Sequence, residues 1–283
     1  MRQLHIFAAC RYFFVNTPQQ PIGIFDSGIG GLTVAHAIRD LLPRERIVYF
    51  GDTAHLPYGD KSEAAIQAYS IKIADVLLKK GCKVIVIACH SASSASYELL
   101  KEYVRKEAHV INVIDPMVKW VVDHYPGKNI GLIGTKRTVQ SGVYARKIGE
   151  ANPHTHLKAL ATPLLAPMIE EGFFNNQISH EIIAKYLGDE QLVGIEALIL
   201  ACTHYPLIKK EIGAYYQQTL PILDSSVVAA QALYDYLATA GLKNTDPHPE
   251  HHFFVSDYTE AFEASTRLFF GEQLRLEQHR LWN

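Results

Sequence analysis

Apolar residues occur along the chain in short runs that alternate with longer segments of helical spacing. The short runs predict β-strands at residues 21–25 (PIGIF), 46–52 (RIVYFGD) and 84–89 (VIVIAC). Residues 63–81 have apolar positions at helical spacing and end in two lysines and a glycine, which favours a helix that stops there. Because VIVIAC is apolar on both faces, it is typical of a parallel sheet covered by helices.

The same alternation continues to the end of the chain. Strand patterns and helix patterns follow one another, which predicts an α/β fold with mainly parallel sheets. One of the helices is predicted to begin with Ser179 as its N-cap. Further strands are predicted at 110–115, 129–135, 157–163, 197–202 and 220–225, helices at 91–107, 115–125 and 227–241, and a strand followed by a helix within 252–270.

The chain contains an internal repeat. GCKVIVIACHSA at 81–92 and GIEALILACTHY at 194–205 share a glycine, an apolar run and Ala-Cys, and IGIFDSGIGGLTV at 22–34 matches IGLIGTKRTV at 130–139. The two pairs have similar spacing, which predicts two pseudo-symmetric, three-layer α/β domains. Ligands of open α/β sheets bind beyond the carboxyl ends of the strands, so Cys89 and Cys202 are expected to flank one shared cleft.

Two thiols on either side of a small molecule suit inversion of configuration at carbon, since one removes a proton from one face while the other protonates the opposite face. A positive neighbour or a helix N-terminus lowers the pKa of a thiol, and His90 and His204 are the neighbours that the sequence offers. The alternative is that both cysteines are buried strand-end residues with a packing role only. The repeated context favours a functional role.

Composition narrows the class of protein. The chain has 283 residues, of which 48% are hydrophobic and 20% charged, and a net charge of −2, which predicts a soluble globular protein that makes no nucleic-acid contact. No apolar run reaches the ~18 residues of a membrane span, so no membrane association is expected. The four cysteines lack disulfide or zinc spacing, which favours a reducing, cytoplasmic location.

Three other segments are interpreted as structural. Residues 1–20 are expected to be a loosely attached extension, and the histidine-rich 246–252 (DPHPEHH) to be a solvated loop rather than a metal site. DSGIGG at 26–31 lacks the glycine spacing of a dinucleotide-binding loop, although its glycines let backbone N–H groups approach an anion such as a carboxylate. We therefore predict neither a metal nor a cofactor.

Six segments together resemble glutamate racemases of the cofactor-independent aspartate/glutamate racemase superfamily. They are IGIFDSGIGGLTV, YFGDTAHLPYGDKS, VIVIACHSASS, IGLIGTKRTVQSGVY, PLLAPMIEEG and ALILACTHYPLI, and they span the chain from about Pro21 onward. The resemblance implies racemisation of L- and D-glutamate, with glutamate as the small-molecule substrate and D-glutamate supplied for peptidoglycan. It also implies discontinuous domains, with residues 1–113 and 223–283 in the first and 114–222 in the second.

The resemblance also implies roles for catalytic residues. Cys89 and Cys202 match the two catalytic thiols, with Cys89 acting on the D-isomer and Cys202 on the L-isomer. Asp26 matches the aspartate near the first thiol, and His204 the histidine near the second. The carboxylate that orients this histidine is matched by Glu170 or by the adjacent Glu171.

A further group of residues matches positions that bind substrate in this family. Ser27 contacts the substrate, a loop closes over it, and three threonine hydroxyls hold its carboxylate and ammonium groups. Where the family usually has Cys-Asn-Thr at the first thiol, this chain has Cys-His-Ser. The substrate-binding set is therefore Ser27, Pro57, Tyr58, Gly59, His90, Ser91, Thr135, Thr138 and Thr203.

The change from asparagine to His90 suggests two hypotheses. His90 either binds the substrate carboxylate in place of the amide or, when protonated, lowers the pKa of Cys89. The alternative is that its ring points away from the substrate and a neighbour takes the role.

Other functions stay open at this point. They are a racemase or isomerase of aspartate or a related dicarboxylate, a one-thiol decarboxylase, a Cys-His hydrolase using Cys202, and an inactive dicarboxylate-binding or regulatory protein. The sequence also leaves the oligomeric state open between a monomer and a homodimer.

Overall fold

The computed structural model describes residues 16–282 of the chain. Its strands and helices alternate as predicted, and the strands at 22–26, 47–51, 84–87 and 197–201 are buried along their whole length. The strands are β1 Ile22–Asp26, β2 Ile47–Gly51, β3 Val84–Ile87, β4 His109–Asn112, β5 Asn129–Gly134, β6 His156–Ala161, β7 Ala197–Ala201, β8 Ile222–Asp224, β9 His252–Val255 and β10 Glu277–Gln278. The α-helices are α1 Leu32–Leu41, α2 Glu63–Lys79, α3 His90–Val104, α4 Ile114–His124, α5 Lys136–Gln140, α6 Val143–Ala151, α7 Leu165–Glu170, α8 Gln177–Leu187, α9 Lys209–Tyr215, α10 Ser225–Thr239 and α11 Glu260–Phe270.

The strands of the described residues form two sheets, and the neighbouring strands within each sheet are parallel. The first sheet has the order β10-β9-β2-β1-β3-β4, and the second has the order β6-β5-β7-β8. The strands β2-β1-β3-β4 and β6-β5-β7-β8 therefore follow the same order, with the repeated segments in equivalent places. The predicted α/β fold with parallel sheets is confirmed, and the sequence repeat corresponds to a repeat of sheet topology.

Several predicted boundaries are wrong for local reasons. The strand predicted at 110–115 ends at Asn112, because the Asn112 side chain accepts hydrogen bonds from the backbone N–H groups of Ile114 (2.7 Å) and Asp115 (2.8 Å) and so starts α4. The N-cap of α8 is Asn176 rather than Ser179. Ser179 is the third helical residue of a capping box, in which its backbone N–H donates to Asn176 Oδ1 (3.0 Å) and its hydroxyl accepts from the Asn176 N–H (3.1 Å).

Two expected loose segments are partly ordered by contacts. Residues 1–15 of the predicted extension lie outside the described part of the chain, but Pro18 is held by Lys83, whose ammonium donates to its carbonyl at 2.6 Å. In the histidine-rich segment, His252 is the first residue of β9, and His251 Nδ1 accepts from the backbone N–H of Ile47 at 3.2 Å. The solvated-loop prediction is therefore wrong for His252, because pairing with β2 places it in the sheet, while His251 belongs to the loop and is held by its hydrogen bond to Ile47.

Among residues 16–282, no helix is long and apolar enough to cross a membrane.

Candidate active site

The two repeated cysteines lie at equivalent strand ends. Cys89 follows β3 and is the N-cap of α3, where its sulfur accepts from the Ala92 N–H at 3.4 Å, and Cys202 follows β7. Both side chains are less than a tenth exposed, and both line a single cavity of about 290 Å³. The structure thus brings the two thiols to one cavity from two different sheets, as the strand-end argument predicts.

Cys202 stands at one end of a short polar chain. The Nδ1 atom of His204 lies 3.6 Å from the Cys202 sulfur, and its Nε2 atom lies 2.8 Å from Glu170 Oε1. Burial by itself opposes the charged imidazolium, but the hydrogen bonds and negative charges of Cys202 and Glu170 outweigh it and raise the pKa of His204 to about 10. Of the two adjacent glutamates, it is Glu170 that makes this contact and lines the cavity.

Cys89 has a different environment. Its sulfur lies 3.7 Å from the hydroxyl oxygen of Ser27, and burial together with the negative charge of Asp26 raises its pKa to about 12. The expectation that a positive neighbour lowers this pKa is wrong, because burial outweighs the hydrogen bonds from the Ala92 N–H and from Ser27, and no cation in the described part of the chain acts on this pKa. The two thiols are therefore unequal: Cys89 favours the protonated form, and Cys202 has an imidazolium beside it.

Asp26 is fully buried and is not among the residues that line the cavity. Its carboxylate accepts from the Gly28 N–H (3.1 Å) and from the Thr203 hydroxyl (3.5 Å). Burial raises the pKa of Asp26, while the charge of His204 and the backbone N–H groups of Gly31 and Gly28 act in the opposite direction. Asp26 thus couples electrostatically to both thiol environments, since it also acts on Cys89.

The glycine loop after β1 is needed for close packing. A Cβ atom at Gly30 would lie 2.5 Å from the Cε1 atom of His204 and 2.7 Å from the Thr203 hydroxyl, and one at Gly31 would lie 2.4 Å from the Asp26 Cβ. Only glycine therefore fits where this loop passes beside the His204 ring.

Hydroxyl groups from both sheets meet at the cavity. The Ser91 hydroxyl at the start of α3 lies 2.9 Å from the Thr135 hydroxyl, which caps α5 and lies 3.0 Å from that of Thr138. Thr138 does not line the cavity and acts on it only through Thr135. The loop Pro57-Tyr58-Gly59 forms another wall, with the Tyr58 hydroxyl donating to Asp52 at 2.5 Å.

His90 is one of the residues that line the cavity, and its imidazole ring is buried. His90 is 3% exposed and its ring is stacked on Tyr144 with a 6.3 Å centroid separation. Neither ring nitrogen has a hydrogen-bond partner among residues 16–282. Burial lowers the pKa of His90 to about 3. The hypothesis that protonated His90 activates Cys89 is therefore wrong, because the buried ring stays neutral.

Some cavity residues escape sequence reasoning. Thr162 lines it and pairs with Tyr205 through their hydroxyls at 2.7 Å, while Lys136 lines it with its ammonium 3.7 Å from Asp60. The position of Lys136 between Thr135 and Thr138 was a usable signal, but Thr162 lies outside the segments whose sequence is repeated. Among residues 16–282, no cluster of three or more His, Cys, Asp or Glu side chains could hold a metal ion.

The sequence of the chain matches a known protein family and its members. The profile described as Asp/Glu/Hydantoin racemase matches residues 32–233, and the chain belongs to that family. A glutamate racemase of Neisseria meningitidis serogroup C is 38% identical over 257 residues, which cover 90% of this chain and 94% of that protein. A glutamate racemase of Geobacter metallireducens is 37% identical, with 91% and 95% covered.

Solved structures agree with these relatives. The glutamate racemase from Francisella tularensis, crystallised with D-glutamate, superposes with a TM-score of 0.87 at 36% identity and covers 94% of this chain and 99% of its own. The glutamate racemase from Thermus thermophilus, in complex with beta-chloro-D-alanine, gives 0.84 at 38% identity with the same coverage.

Proposed function

We propose that this chain interconverts L- and D-glutamate by a two-base mechanism that uses the thiols of Cys89 and Cys202 and no cofactor. The observation that carries the proposal is the pair of thiols at equivalent strand ends of two sheets, both lining one cavity. The identity of the relatives supports glutamate as the substrate. An aspartate racemase on the same scaffold is the second candidate, which the experiment below separates.

From L-glutamate, the thiolate of Cys202 removes the α-proton, so the C–H bond breaks and an S–H bond forms. The Cys89 thiol then donates its proton to the opposite face of the carbanion, which yields D-glutamate and leaves a thiolate at Cys89. From D-glutamate the same steps run in reverse, with Cys89 as the base. Two observations support this assignment: the raised pKa of Cys89 keeps that thiol a proton donor, and the His204 ring lies 3.6 Å from the Cys202 sulfur, where its positive charge attracts a thiolate.

The α-proton of an amino acid is only weakly acidic, so the site must stabilise the charge that develops on the carboxylate as the proton leaves. Prearranged donors do this best in a cavity shielded from water. The hydroxyls of Ser27, Ser91, Thr135 and Thr203 line the cavity and are suited to this role.

Proton NMR in D2O tests the proposal with L- and D-glutamate and L- and D-aspartate in parallel, while circular dichroism follows inversion. We expect both glutamate enantiomers to lose their α-proton signal and to converge to a racemate. Cys89→Ala and Cys202→Ala should each abolish inversion. Exchange with aspartate alone would identify the second candidate, and binding of glutamate without exchange would indicate a binding protein.

The setting of this activity is also part of the proposal. D-Glutamate is consumed in peptidoglycan synthesis, which places the enzyme in the cytoplasm, and Cys82, Cys89 and Cys202 are free thiols compatible with a reducing compartment. We keep the division into two domains but place the return to the first domain after Asp224, since β8 pairs with β7. The homodimer stays a prediction that sedimentation analysis tests.

A further inference from the structure

The loop 53–60, which contains the cavity-wall residues Pro57, Tyr58 and Gly59 and is called the cavity loop below, packs against a cluster of aromatic rings. The imidazole of His55 stacks on the Tyr69 ring of α2 at a centroid separation of 4.3 Å, and the indole of Trp282 lies against both rings, at 5.7 Å from His55 and 5.9 Å from Tyr69. Tyr69 in turn packs against Tyr58 at 5.7 Å. We call His55, Tyr69 and Trp282 the outer cluster.

The outer cluster is connected to the cavity through Asp52. This buried carboxylate accepts hydrogen bonds from the Tyr58 hydroxyl (2.5 Å) and the Ser256 hydroxyl (2.7 Å) and lies 2.8 Å from His55 Nδ1. Tyr58 is 1% exposed and lines the cavity. A shift of the His55 ring therefore disturbs the group that fixes Tyr58.

The C-terminal segment that carries Trp282 packs against the first sheet. β10 pairs with β9, the His279 N–H donates to the Val255 carbonyl at 2.8 Å, and Leu281 packs on the core cluster that contains Phe50 and Tyr58. Trp282 itself is 42% exposed, so its ring contributes contact to the loop more than to the core. These contacts bring a distant part of the sequence to the back of the cavity loop.

The opposite side of the loop faces the second sheet. The guanidinium of Arg137 donates to the Lys61 carbonyl at 2.9 and 3.2 Å, and a Cβ atom at Gly59 would lie 3.1 Å from that of Thr135. The loop is thus held between α5 on one side and the outer cluster on the other. Loss of either support would let it move relative to the thiols.

We propose that Trp282 is a positioning residue for glutamate binding: by packing on His55 and Tyr69 it fixes the loop 53–60 in the conformation that closes the cavity. This inference rests on the proposed function. Since the loop contacts substrate in the ground state and in the transition state alike, its displacement should raise KM more than it lowers kcat.

Trp120 offers a matched control. It is the chain's other tryptophan, it is 39% exposed, and it also stacks on a histidine, His124 at 3.8 Å, but it lies on α4. Replacing either indole by alanine removes a similar surface contact, and only Trp282 contacts the cavity loop. General effects on stability should therefore be similar in the two variants.

The experiment measures racemisation kinetics and hydrogen exchange of the full chain in Trp282→Ala, Trp282→Phe and Trp120→Ala. On the scale of one aromatic contact, KM for glutamate should rise about 3- to 10-fold in Trp282→Ala with kcat changed less than about twofold. Trp282→Phe should restore KM, and Trp120→Ala should match wild type. Amides of residues 53–62 should exchange faster in Trp282→Ala alone.

Equal KM and equal exchange in Trp282→Ala and Trp120→Ala would overturn the inference, and so would a raised KM with unchanged exchange of residues 53–62. Hydrogen exchange is read without substrate and does not depend on turnover. If wild type fails to racemise glutamate, the proposed function fails, while the exchange comparison still decides whether Trp282 holds the loop.

Discussion

Replacing His204 by asparagine should slow racemisation through its effect on one thiol only. The imidazole of His204 contacts the Cys202 sulfur at 3.6 Å, whereas the contacts of the Cys89 sulfur within residues 16–282 are the Ser27 hydroxyl and the Ala92 N–H. Asparagine is smaller and neutral, so it fits beside Gly30 and keeps a hydrogen-bond donor. The change therefore removes the positive charge with little cost in packing.

The size of the effect follows from the distance and the burial. At 3.6 Å a unit pair attracts by about 1 kcal/mol in water and about 5 kcal/mol at an effective dielectric constant of about 20. Cys202 and His204 are each 7% exposed, so the value of about 5 kcal/mol is the better guide to the attraction itself. The cost of removing both groups from water reduces the net contribution. Hydrogen bonds to charged groups contribute about 1.5–3 kcal/mol net, which corresponds to a loss of about 10- to 150-fold in kcat/KM.

The assay must separate the two proton transfers. L- and D-glutamate have equal free energy, so kcat/KM falls by the same factor in both directions for every variant and cannot by itself identify the affected thiol. Substrate deuterated at the α-carbon can identify it. In His204→Asn, removal of the proton by Cys202 becomes limiting, so the isotope effect on kcat/KM should grow for L-glutamate and stay small for D-glutamate.

Two results would refute this reasoning: a loss in kcat/KM of less than about twofold, below the contribution of a charged hydrogen bond, or an isotope effect that grows for D-glutamate instead. His154→Asn is the control, because His154 is exposed and outside the cavity. It should leave kcat/KM and both isotope effects unchanged.

Three further predictions address the surroundings of the thiols. Glu170→Gln should lower the pKa of His204, but the loss in kcat/KM should be only about two- to fivefold, because the Glu170 side chain is 35% exposed and water screens the pair. Gly30→Ala forces a Cβ against His204 and should lower the free energy of unfolding by about 1–3 kcal/mol and kcat/KM at least about tenfold. The pKa of His90 falls from 6.5 to about 3 on folding, so the unfolded chain binds the proton first and wild type loses stability as pH falls below about 6.5. His90→Asn should lack this loss. Between pH 7.5 and pH 5, urea unfolding should show that the free energy of unfolding falls by up to about 2 kcal/mol more in wild type than in His90→Asn.

Matched variants sharpen these tests. Glu171→Gln should retain wild-type kcat/KM, and a loss equal to that of Glu170→Gln would contradict the assignment of Glu170. Gly149→Ala adds a Cβ that meets nothing within 4 Å in α6, so it should leave activity intact and stabilise the chain slightly. For His90, identical pH dependence of unfolding in wild type and His90→Asn would show that the ring is not buried as a neutral group.

The sequence by itself determined the α/β class, the parallel sheets and the duplication of the cysteine strands. These features depend on local patterns: apolar runs buried on both faces, helical spacing between them, and glycine or lysine at helix ends. The repeat of Ala-Cys after β3 and β7 also placed both thiols correctly at strand ends, because the carboxyl ends of parallel strands are a fixed geometric edge. The errors at Asn112 and Asn176 arose where one polar side chain captured the helix N-terminus and shifted a boundary by a few residues.

Only the tertiary structure decided the chemistry of each thiol. A histidine follows each cysteine within two residues, yet His204 turns to the Cys202 sulfur and Glu170, while the neutral ring of His90 stacks on Tyr144. The choice of Glu170 over its neighbour and the contact of Trp282 with His55 likewise depend on how distant segments pack. Protonation energies and loop positions arise from burial and from partners remote in sequence, which local periodicity does not encode.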